Sequence, residues 1–466
     1  MGKLFGTDGI RGVANEYPMT PEMAVKIGRS VARRFKEEVS DPVFIIGKDT
    51  RLSGNMLEYA LASGICSASA NVLLAGILPT PGIAFLSRTL KASAGIVVSA
   101  SHNPFSDNGI KLFDKNGYKL TDEAEDEIED LVLNNRSLQI KPGNNIGNVS
   151  ILHDSAKSYS DFLKSSLPED FTLNGLKIVM DCSNGATYKI APELLSDLGA
   201  DIDILYNSPD GKNINENCGS EHTESLINKV LENKADIGIA FDGDGDRLIA
   251  VDEYGKILTG DKILAISAVA LKKRGMLINN HVVSTVMSNM GLVSLFKEKG
   301  INHTMSQVGD RYVMEEMIKT GAILGGEDSG HIIFLNYQTT GDGILTAIKL
   351  IQFMKEESKP LSELGKIMNV FPQVLINVNV KIKPAIESIK DIVDSILYAN
   401  NILGKKGRVL VRYSGTQSIC RVMVEGSDKE ETTRLCQNIA DKVRRTIGED
   451  SRGQGFKDSS ELLKKL

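Results

Sequence analysis

The 466-residue sequence lacks several features that mark other classes of protein. Its five cysteines are scattered and none forms a Cys-x-x-Cys pair, which disfavours a disulfide framework and a zinc site and predicts reduced thiols. No apolar run approaches the ~20 residues of a membrane-spanning helix, and the N-terminus has no apolar signal region. We therefore expect a soluble cytoplasmic protein without a membrane partner.

An excess of basic charge is also missing. Lysine and arginine number 54 against 60 aspartates and glutamates, which gives a net charge of -6. Proteins that bind nucleic acid normally carry a basic excess, so no nucleic-acid partner is expected, although a local basic cluster could still bind a small anion. The length exceeds what one hydrophobic core usually serves, and at roughly 100 to 200 residues per domain it predicts three or four domains.

Short apolar, β-branched segments alternate with amphipathic ones, which is the pattern of an α/β fold with parallel sheets. Predicted strands cover residues 43–46, 95–98, 177–180, 237–240 and 282–285, and a helix with one apolar face is predicted around residues 344–353. Polar or glycine-rich breaks at residues 134–148, 252–255 and 358–372 predict domains over 1–150, 151–255, 256–370 and 371–466. The last domain is expected to be a smaller α+β domain with strands at 374–380, 409–413 and 420–424. A polar tail at 449–457 and a short helix at 459–466 would follow it.

Three polar loops directly follow predicted strands. They are Ser-Ala-Ser-His-Asn-Pro at 99–104, Asp-Gly-Asp-Gly-Asp-Arg at 242–247, and Gly-Gly-Glu-Asp-Ser-Gly-His at 325–331, after a strand at 322–324. Ligands of open α/β sheets bind beyond the carboxyl ends of strands. We therefore expect each of three successive domains to contribute one loop to a shared site.

The aspartate loop carries the strongest chemical signal. Asp242, Asp244 and Asp246 are separated by glycines that allow a tight turn, so their carboxylates can converge on a hard cation such as Mg²⁺. An EF-hand is disfavoured, because Arg247 stands where that loop needs glycine and a strand precedes the motif. A solvated acidic turn without a ligand is the other alternative.

Ser101 lies at a strand end, where a nucleophile is expected. It lacks the flanking glycines of the hydrolase elbow, which disfavours acyl transfer. A phosphoryl group on Ser101 would instead provide an oxygen ligand to a cation held by the aspartates. The neighbouring His102 is equally compatible with a structural bond to loop backbone.

Two further motifs have both a functional and a structural interpretation. Gly326–His331 offers the Glu327 carboxylate and the Ser329 hydroxyl to vicinal sugar hydroxyls, with His331 able to exchange a proton, but a plain turn would have similar composition. The segment 412–417, followed by Arg421, combines guanidinium groups, hydroxyls and a glycine in a form that suits phosphate. A hairpin turn is the alternative there.

These four motifs, in this order and spacing, resemble the α-D-phosphohexomutase superfamily over about residues 2–446. The resemblance implies four domains around a central cleft, the first three with a common α/β core and the last α+β. Segments 5–12, 308–313 and 325–331 resemble the glucosamine branch, which implies conversion of glucosamine 6-phosphate to glucosamine 1-phosphate through phosphoserine and a bisphosphorylated sugar. Mutases of mannose and glucose phosphates are the alternatives within the superfamily.

The same resemblance assigns roles to residues. Ser101 would be the phosphoserine and, with Asp242, Asp244 and Asp246, would bind Mg²⁺. Arg11, Lys111 and Arg247 would steady the transferring phosphoryl group, with Lys111 or His331 moving protons. Glu327 and Ser329 would hold the sugar hydroxyls. The phosphate that does not react would be held by Arg412, Ser414, Gly415, Thr416 and Arg421.

The sequence departs from the family pattern in two places. Tyr413, Gln417 and Ser418 replace the proline, glutamate and proline of the usual last loop, and Asp328 stands where the glucosamine branch commonly has glutamine. Alternation along the loop predicts that Asp328 points away from the sugar. A Mg²⁺-dependent phosphatase with Asp242 as nucleophile and a non-catalytic sugar-phosphate sensor are the rival functions. The expected partner is a small hexosamine phosphate, and a homodimer is compatible with the sequence.

Overall fold

The computed structural model describes residues 4–6, 8–134, 145–414 and 418–448. The chain divides into two compact units, one formed by residues 1–288 and 295–368 and the other by 289–294 and 369–466. Gly415, Thr416, the predicted tail and the predicted last helix lie outside the described residues. Every helix in the described part of the chain is too short or too polar to span a bilayer.

The first unit begins with a six-stranded sheet. Strands β2, β3, β4 and β6 run parallel, and β5 is antiparallel to both β4 and β1, in the order β1-β5-β4-β2-β3-β6. All five residues of β4 are buried, as expected for a strand covered on both faces. The elements are β1 (Ile10–Val13), α1 (Pro21–Lys36), β2 (Val43–Lys48), α2 (Gly54–Ser67), β3 (Asn71–Ile77), α3 (Thr80–Thr89), β4 (Ala94–Val98), β5 (Asp107–Asp114), α4 (Asp122–Leu133) and β6 (Val149–Ile151).

A five-stranded sheet follows in the same unit, in the order β11-β10-β9-β7-β8. Strands β7, β8 and β9 are parallel, whereas β9, β10 and β11 form an antiparallel ribbon. The turn between β9 and β10 holds the aspartate motif. The elements are α5 (Ser155–Ser165), β7 (Lys177–Asp181), α6 (Ile190–Asp197), β8 (Asp201–Leu205), α7 (Glu224–Asn233), β9 (Ile237–Phe241), β10 (Leu248–Asp252) and β11 (Ile257–Leu258).

The third sheet of this unit has four strands in the order β13-β12-β14-β15. Its turn between β14 and β15 holds Glu327, Ser329 and His331. The elements are α8 (Gly260–Lys273), β12 (His281–Thr285), α9 (Met290–Glu298), β13 (Asn302–Ser306), α10 (Asp310–Thr320), β14 (Leu324–Gly326), β15 (Ile332–Phe334), α11 (Gly343–Glu357) and α12 (Leu361–Leu364). Helix α9 begins in the second unit and ends in the first.

The second unit is built on a three-stranded antiparallel sheet, β16-β18-β17. Its core combines the inner faces of the strands and two helices, with Ile392, Val422, Leu435 and Ile439 among its most buried side chains. The elements are β16 (Gln373–Asn379), α13 (Lys390–Leu403), β17 (Gly407–Tyr413), β18 (Ile419–Gly426) and α14 (Lys429–Ile447).

The α/β prediction is confirmed, and each predicted strand overlaps an observed one within about two residues at its ends. The strand expected at 322–324 begins instead at Leu324 and includes both following glycines. Strand β6 crosses residue 150 and pairs with β3. The β10–β11 hairpin likewise spans residue 255. Two of the predicted domain limits therefore fall within paired elements.

Candidate active site

The loop that follows strand β4 places Ser101 in the interior of the first unit. Ser101 is buried and has a left-handed φ of 53°. Its Oγ donates a hydrogen bond to Asp242 Oδ2 at 2.6 Å and lies 3.4 Å from His102 Nδ1. Burial and then the charges of Arg247 and Arg11 lower the pKa of His102 to about 3, so this ring is neutral. The predicted nucleophile and the aspartate motif are thus in direct contact.

Asp242, Asp244 and Asp246 form a buried carboxylate cluster in the turn between β9 and β10. One oxygen of each lies within 4.8 Å of the others, and Gly245 allows the turn with a φ of 72°. Asp244 Oδ1 and Asp246 Oδ1 are buried and have no hydrogen-bond partner among the described residues. Burial and then the charges of Asp246 and Asp244 raise the pKa of Asp242 well above its ordinary value. Close, buried and unpaired carboxylate oxygens fit a hard divalent cation, which would offset their repulsion.

Lys111 projects from β5 into this cluster. Its Nζ lies 2.8 Å from Asp244 Oδ2, 3.1 Å from Asp8 Oδ2 and 3.6 Å from Asp246 Oδ2. Burial opposes the charge of Lys111, but the three carboxylates outweigh burial and raise its pKa above the ordinary value. Thr80, which the sequence analysis did not single out, donates from Oγ1 to Asp244 Oδ2 at 2.6 Å. A charged Lys111 suits a group that steadies phosphoryl oxygens better than one that accepts a proton.

Asp8 and Lys119 form an ionic chain that the sequence analysis missed. Asp8 pairs with Arg11, Lys111 and Lys119, and Lys119 also pairs with Asp310 at the start of α10. Burial opposes ionisation of Asp8, but Lys111 and the other two cations hold its pKa well below its usual range. The chain therefore fixes two of the predicted catalytic cations. The only sequence signal for Asp8 was its place in the segment 5–12.

Arg11 and Arg247 lie at the edge of the carboxylate cluster. Arg247 Nε is 3.9 Å from Asp246 Oδ1, and its Nη1 is 3.8 Å from Glu221 Oε1. Arg11 bonds to Asp8 through Nη2. The Nε atoms of both arginines are buried without a hydrogen-bond partner in the described part of the chain. Both guanidinium groups thus have a donor available for an anionic oxygen.

His331 is buried near the same carboxylates. Its Nε2 accepts a hydrogen bond from the Gly341 N–H at 3.2 Å and lies 3.6 Å from Asp310 Oδ2 and 3.9 Å from Asp246 Oδ2. A ring nitrogen that accepts such a bond uses its single lone pair for it. Nδ1 itself is buried and unpaired within the described ranges. A cavity of about 200 Å³ has His331, Asp310 and Lys119 in its wall, which leaves room there for a bound molecule.

In the turn between β14 and β15, the neighbouring carboxylates of Glu327 and Asp328 bond to different partners. Glu327 Oε1 accepts a hydrogen bond from the Gly309 N–H at 3.0 Å, and burial raises the pKa of Glu327. Ser329 is exposed. Asp328 Oδ1 instead accepts a hydrogen bond from the Asp261 N–H at 3.2 Å, at the start of helix α8. Asp328 is thus engaged by a helix terminus, where a negative charge is favoured.

The second unit contains a separate cluster of cationic groups. Arg412 on β17 and Arg421 on β18 are directly opposite each other, and their Nε atoms are buried without a partner among the described residues. Burial and then the charge of Arg421 lower the pKa of Arg412. Ser414 directly follows β17 and is buried. Its carbonyl oxygen accepts a hydrogen bond from Lys383 Nζ at 2.8 Å. Opposed guanidinium groups with unpaired donors suit an anion such as phosphate.

Comparison with protein families finds four domain models that together cover most of the chain. The phosphoglucomutase/phosphomannomutase alpha/beta/alpha domains I, II and III match residues 2–139, 157–255 and 259–371, respectively. The C-terminal domain of the same family matches residues 375–442. The order of the matches is that of the domains along the chain.

Curated relatives match over nearly their full length. The phosphoglucosamine mutase of Syntrophus aciditrophicus is 57% identical over 449 residues, which cover 96% of this chain and 100% of the relative. The phosphoglucosamine mutase of Syntrophobacter fumaroxidans is 54% identical with the same coverage. Identity of this extent places the chain within the family of these relatives.

Solved structures share the fold. A phosphoglucomutase/phosphomannomutase family protein from Burkholderia thailandensis has a TM-score of 0.78 and 25% identity, covering 94% of this chain and 96% of the other. An Aspergillus fumigatus N-acetylphosphoglucosamine mutase, solved with GlcNAc-6P and magnesium, has a TM-score of 0.69 and 17% identity, covering 95% and 96% of the two chains. The second likeness extends to the fold alone.

Proposed function

Because the chain belongs to the phosphoglucomutase/phosphomannomutase family, we propose that it interconverts glucosamine 6-phosphate and glucosamine 1-phosphate. Its curated relatives of 57% and 54% identity carry the name of that activity. Such an enzyme is an isomerase, because it moves a phosphoryl group between two oxygens of one sugar. The family motifs for the phosphoserine and the metal are present in the sequence, and those for the sugar and the distal phosphate are present with departures at Asp328 and at Tyr413, Gln417 and Ser418, respectively.

The observation that carries the proposal is the contact between Ser101 Oγ and the carboxylate cluster at 2.6 Å. Phospho-Ser101 transfers its phosphoryl group to O1 of glucosamine 6-phosphate. The Oγ–P bond breaks as the O1–P bond forms, the O1 proton passes to a base, and Ser101 Oγ takes up a proton that it gives back in the second transfer. The bisphosphate then reverses in the site, and Ser101 takes the phosphoryl group from O6, which regains a proton as glucosamine 1-phosphate forms.

The cationic residues steady the transferring group. Arg11 and Arg247 direct available donors at phosphoryl oxygens, and Lys111 adds an ammonium charge that its three carboxylate neighbours keep protonated. Charge on the transferring group is spread over its oxygens, so fixed cations lower the barrier most where they are already in position. We assign proton transfer to Lys111 or His331. The neighbouring carboxylates keep Lys111 charged, and the single lone pair of His331 Nε2 must release the Gly341 N–H before it can accept a proton.

Asp242, Asp244 and Asp246 would hold one Mg²⁺ ion, together with an oxygen of Ser101 or its phosphoryl group. Bound there, the ion supplies positive charge that offsets the three carboxylates and polarises phosphoryl oxygens. Asp244 Oδ1 and Asp246 Oδ1, which are buried and accept no hydrogen bond from the described residues, support this assignment. Asp244 keeps its other oxygen for Lys111 and Thr80, which orients the carboxylate.

Recognition of the sugar and of the distal phosphate is assigned to two further sets of groups. Glu327 and Ser329 bind sugar hydroxyls, for which a carboxylate and a hydroxyl are suitable partners. The second set binds the phosphate that does not react, through guanidinium, hydroxyl and backbone N–H donors. Its members are Arg412, Ser414, Gly415, Thr416 and Arg421.

A coupled assay with purified, primed enzyme tests the proposal. We expect kcat/KM for glucosamine 6-phosphate to exceed that for glucose 6-phosphate and mannose 6-phosphate by about tenfold or more, roughly 1.4 kcal/mol in transition-state binding. The Ser101→Ala variant should fold normally, carry no phosphate by intact-mass spectrometry and lose nearly all turnover. Equal efficiency with a neutral sugar would overturn the glucosamine assignment. Steady release of inorganic phosphate would indicate a phosphatase instead, and full turnover by the alanine variant would exclude the phosphoserine route.

A further inference from the structure

Two side chains outside the assigned site donate to the same pair of carbonyl oxygens in the serine loop, residues 99–104. Arg51 Nη2 donates to Ser101 O and to Asn103 O, each at 2.8 Å. Asn215 Nδ2 donates to the same two oxygens, at 2.8 and 3.0 Å. Arg51 also uses its Nη1 for Asp107 O at 3.0 Å. The backbone around the nucleophile is therefore held from two directions.

Arg51 is itself held rigidly. Its Nε donates to Asp49 Oδ2 at 2.8 Å, and both side chains are fully buried. The same Asp49 oxygen accepts a bond from Ser99 Oγ at 2.6 Å, and Ser99 Oγ accepts one from the Ser101 N–H at 2.9 Å. The N–H and the C=O of Ser101 are therefore both fixed by one connected network within the first sheet's loops.

Asn215 reaches the serine loop from the polypeptide between β8 and β9, in the second sheet's part of the unit. Its own backbone is left-handed, with a φ of 59°, and its N–H is bonded to Ser183 O at 2.9 Å. Gly243 of the aspartate motif fits beside it so closely that a Cβ would lie 2.6 Å from Ser101 O and 2.8 Å from Asn215 Nδ2. Asn215 thus contacts the serine loop where that loop meets the metal-binding turn.

We propose that Asn215 is a positioning residue for phosphoryl transfer, which acts with Arg51 to hold Ser101 in its left-handed conformation. This conformation directs Oγ at Asp242, and left-handed backbone is unfavourable for a non-glycine residue unless its surroundings enforce it. Arg51 fixes the loop to its own sheet, and Asn215 fixes it to the sheet that carries the aspartates. The inference rests on the proposed function, because it concerns the rate at which phospho-Ser101 reacts.

Two substitutions at residue 215 separate the lost donor from other effects. Asn215→Asp keeps the shape and the tolerance for left-handed φ but replaces the N–H donors by an anionic oxygen. Asn215→Gly keeps the conformation and removes the donors without adding charge. Radiolabelled phosphoenzyme of the full chain is mixed with glucosamine 6-phosphate, and transfer is followed in a single turnover by rapid quenching. We expect both variants to transfer at least about tenfold more slowly, with substrate KM and Mg²⁺ affinity within about twofold of the wild type.

Asn184→Asp is the matched control. Asn184 Nδ2 donates to Asn213 O at 3.2 Å in the neighbouring loops and makes no side-chain bond to the serine loop. We expect this variant to transfer at the wild-type rate. Wild-type transfer by Asn215→Gly, a loss confined to Asn215→Asp, or an equal loss in Asn184→Asp would each overturn the positioning role. A wild-type chain that cannot transfer its phosphate to the sugar would instead overturn the proposed function and this inference with it.

Discussion

Asp244 is the residue on which the ionic contacts of the candidate site converge. One oxygen is bonded to Lys111 and Thr80, and the other is buried and unpaired in the described part of the chain. Lys111 and Thr80 together hold its pKa below the ordinary value against burial. Asp244 therefore remains an anion, available to a cation on one side and fixed on the other.

We expect Asp244→Asn to lower kcat/KM by about 100-fold or more, roughly 2.7 kcal/mol, at a fixed moderate Mg²⁺ concentration. The amide retains an acceptor for Thr80, but the site loses one of three charged ligands and Lys111 loses its nearest carboxylate. A titration of activity with Mg²⁺ should show a raised requirement.

Asp252→Asn provides the matched control for that change. Asp252 is a buried carboxylate at the end of β10, and its Oδ1 accepts bonds from the backbone of Tyr254 and Lys256 at 3.0 and 2.8 Å. This variant should lose some stability and keep the wild-type Mg²⁺ requirement. If Asp244→Asn also kept that requirement, or if the wild type were fully active in EDTA, the triad would not be a catalytic metal site.

At the scale of elements, the pairing of β17 with β18 places two like charges opposite each other. Arg412 and Arg421 share a cross-strand position, and like charges in that arrangement destabilise a sheet. The phosphate proposed to bind there would offset this cost. Removing one of the two arginines should therefore stabilise the ligand-free sheet and weaken its binding of an anion.

Arg421→Gln should raise the melting temperature of the ligand-free protein slightly and raise KM for glucosamine 6-phosphate by about tenfold or more. Removing one guanidinium relieves the repulsion but also removes charge-assisted bonds of typically ~1.5 to 3 kcal/mol. Arg408→Gln is a suitable comparison in the same sheet, because Arg408 on β17 is paired with Glu425 at 2.9 Å. A larger effect on KM from Arg408→Gln than from Arg421→Gln would assign the anion site elsewhere.

At the scale of the whole molecule, each compact unit has a hydrophobic core of its own. The second unit's core includes Leu435 and Val443, whereas the first unit has several clusters, one of them around Ile27, Phe44 and Leu61. The proposed Mg²⁺ ligands all belong to the first unit. Calorimetry should therefore resolve two transitions, of which Mg²⁺ at about 100 times its Kd raises only one, by roughly 3 °C or more.

Leu435→Ala identifies the other transition. Leu435 is buried in the second core, where truncation to alanine costs about 2–5 kcal/mol. The variant should lower the transition that Mg²⁺ leaves unchanged. A single transition, or equal shifts of both by Mg²⁺, would mean that the two units unfold together.

The local pattern of residue types was sufficient to predict several strands. Apolar, β-branched runs identified β2, β4, β7 and β9 because strands covered on both faces require such runs. The meeting of Ser101 with Asp242 followed from a different expectation, that successive domains each contribute the loop after a strand end to a shared site; the two loops belong to different sheets.

The ionic chain from Lys111 through Asp8 and Lys119 to Asp310 was beyond the same reasoning. Lys119 and Asp310 are 191 positions apart, and a charged loop residue is most often solvated, so nothing in the local pattern predicts their pairing. The hydrogen bond from Thr80 to Asp244, which joins residues 164 positions apart, could not be predicted for the same reason. The predicted role of Lys111 in proton transfer depended on a pKa that only these contacts reveal.

The backbone at Ser101 also restricts which alcohol can serve as the proposed nucleophile. A φ of 53° is open to serine at a moderate cost, but a β-branched side chain is a genuine outlier in that region. Threonine has the same hydroxyl chemistry, yet its extra methyl group would have to occupy a buried, closely bonded loop in a conformation that it strongly disfavours. The backbone conformation at this position therefore favours serine over threonine, whatever the reactivity of the two hydroxyls. Ser101→Thr, a substitution that most loops tolerate, would be excluded here.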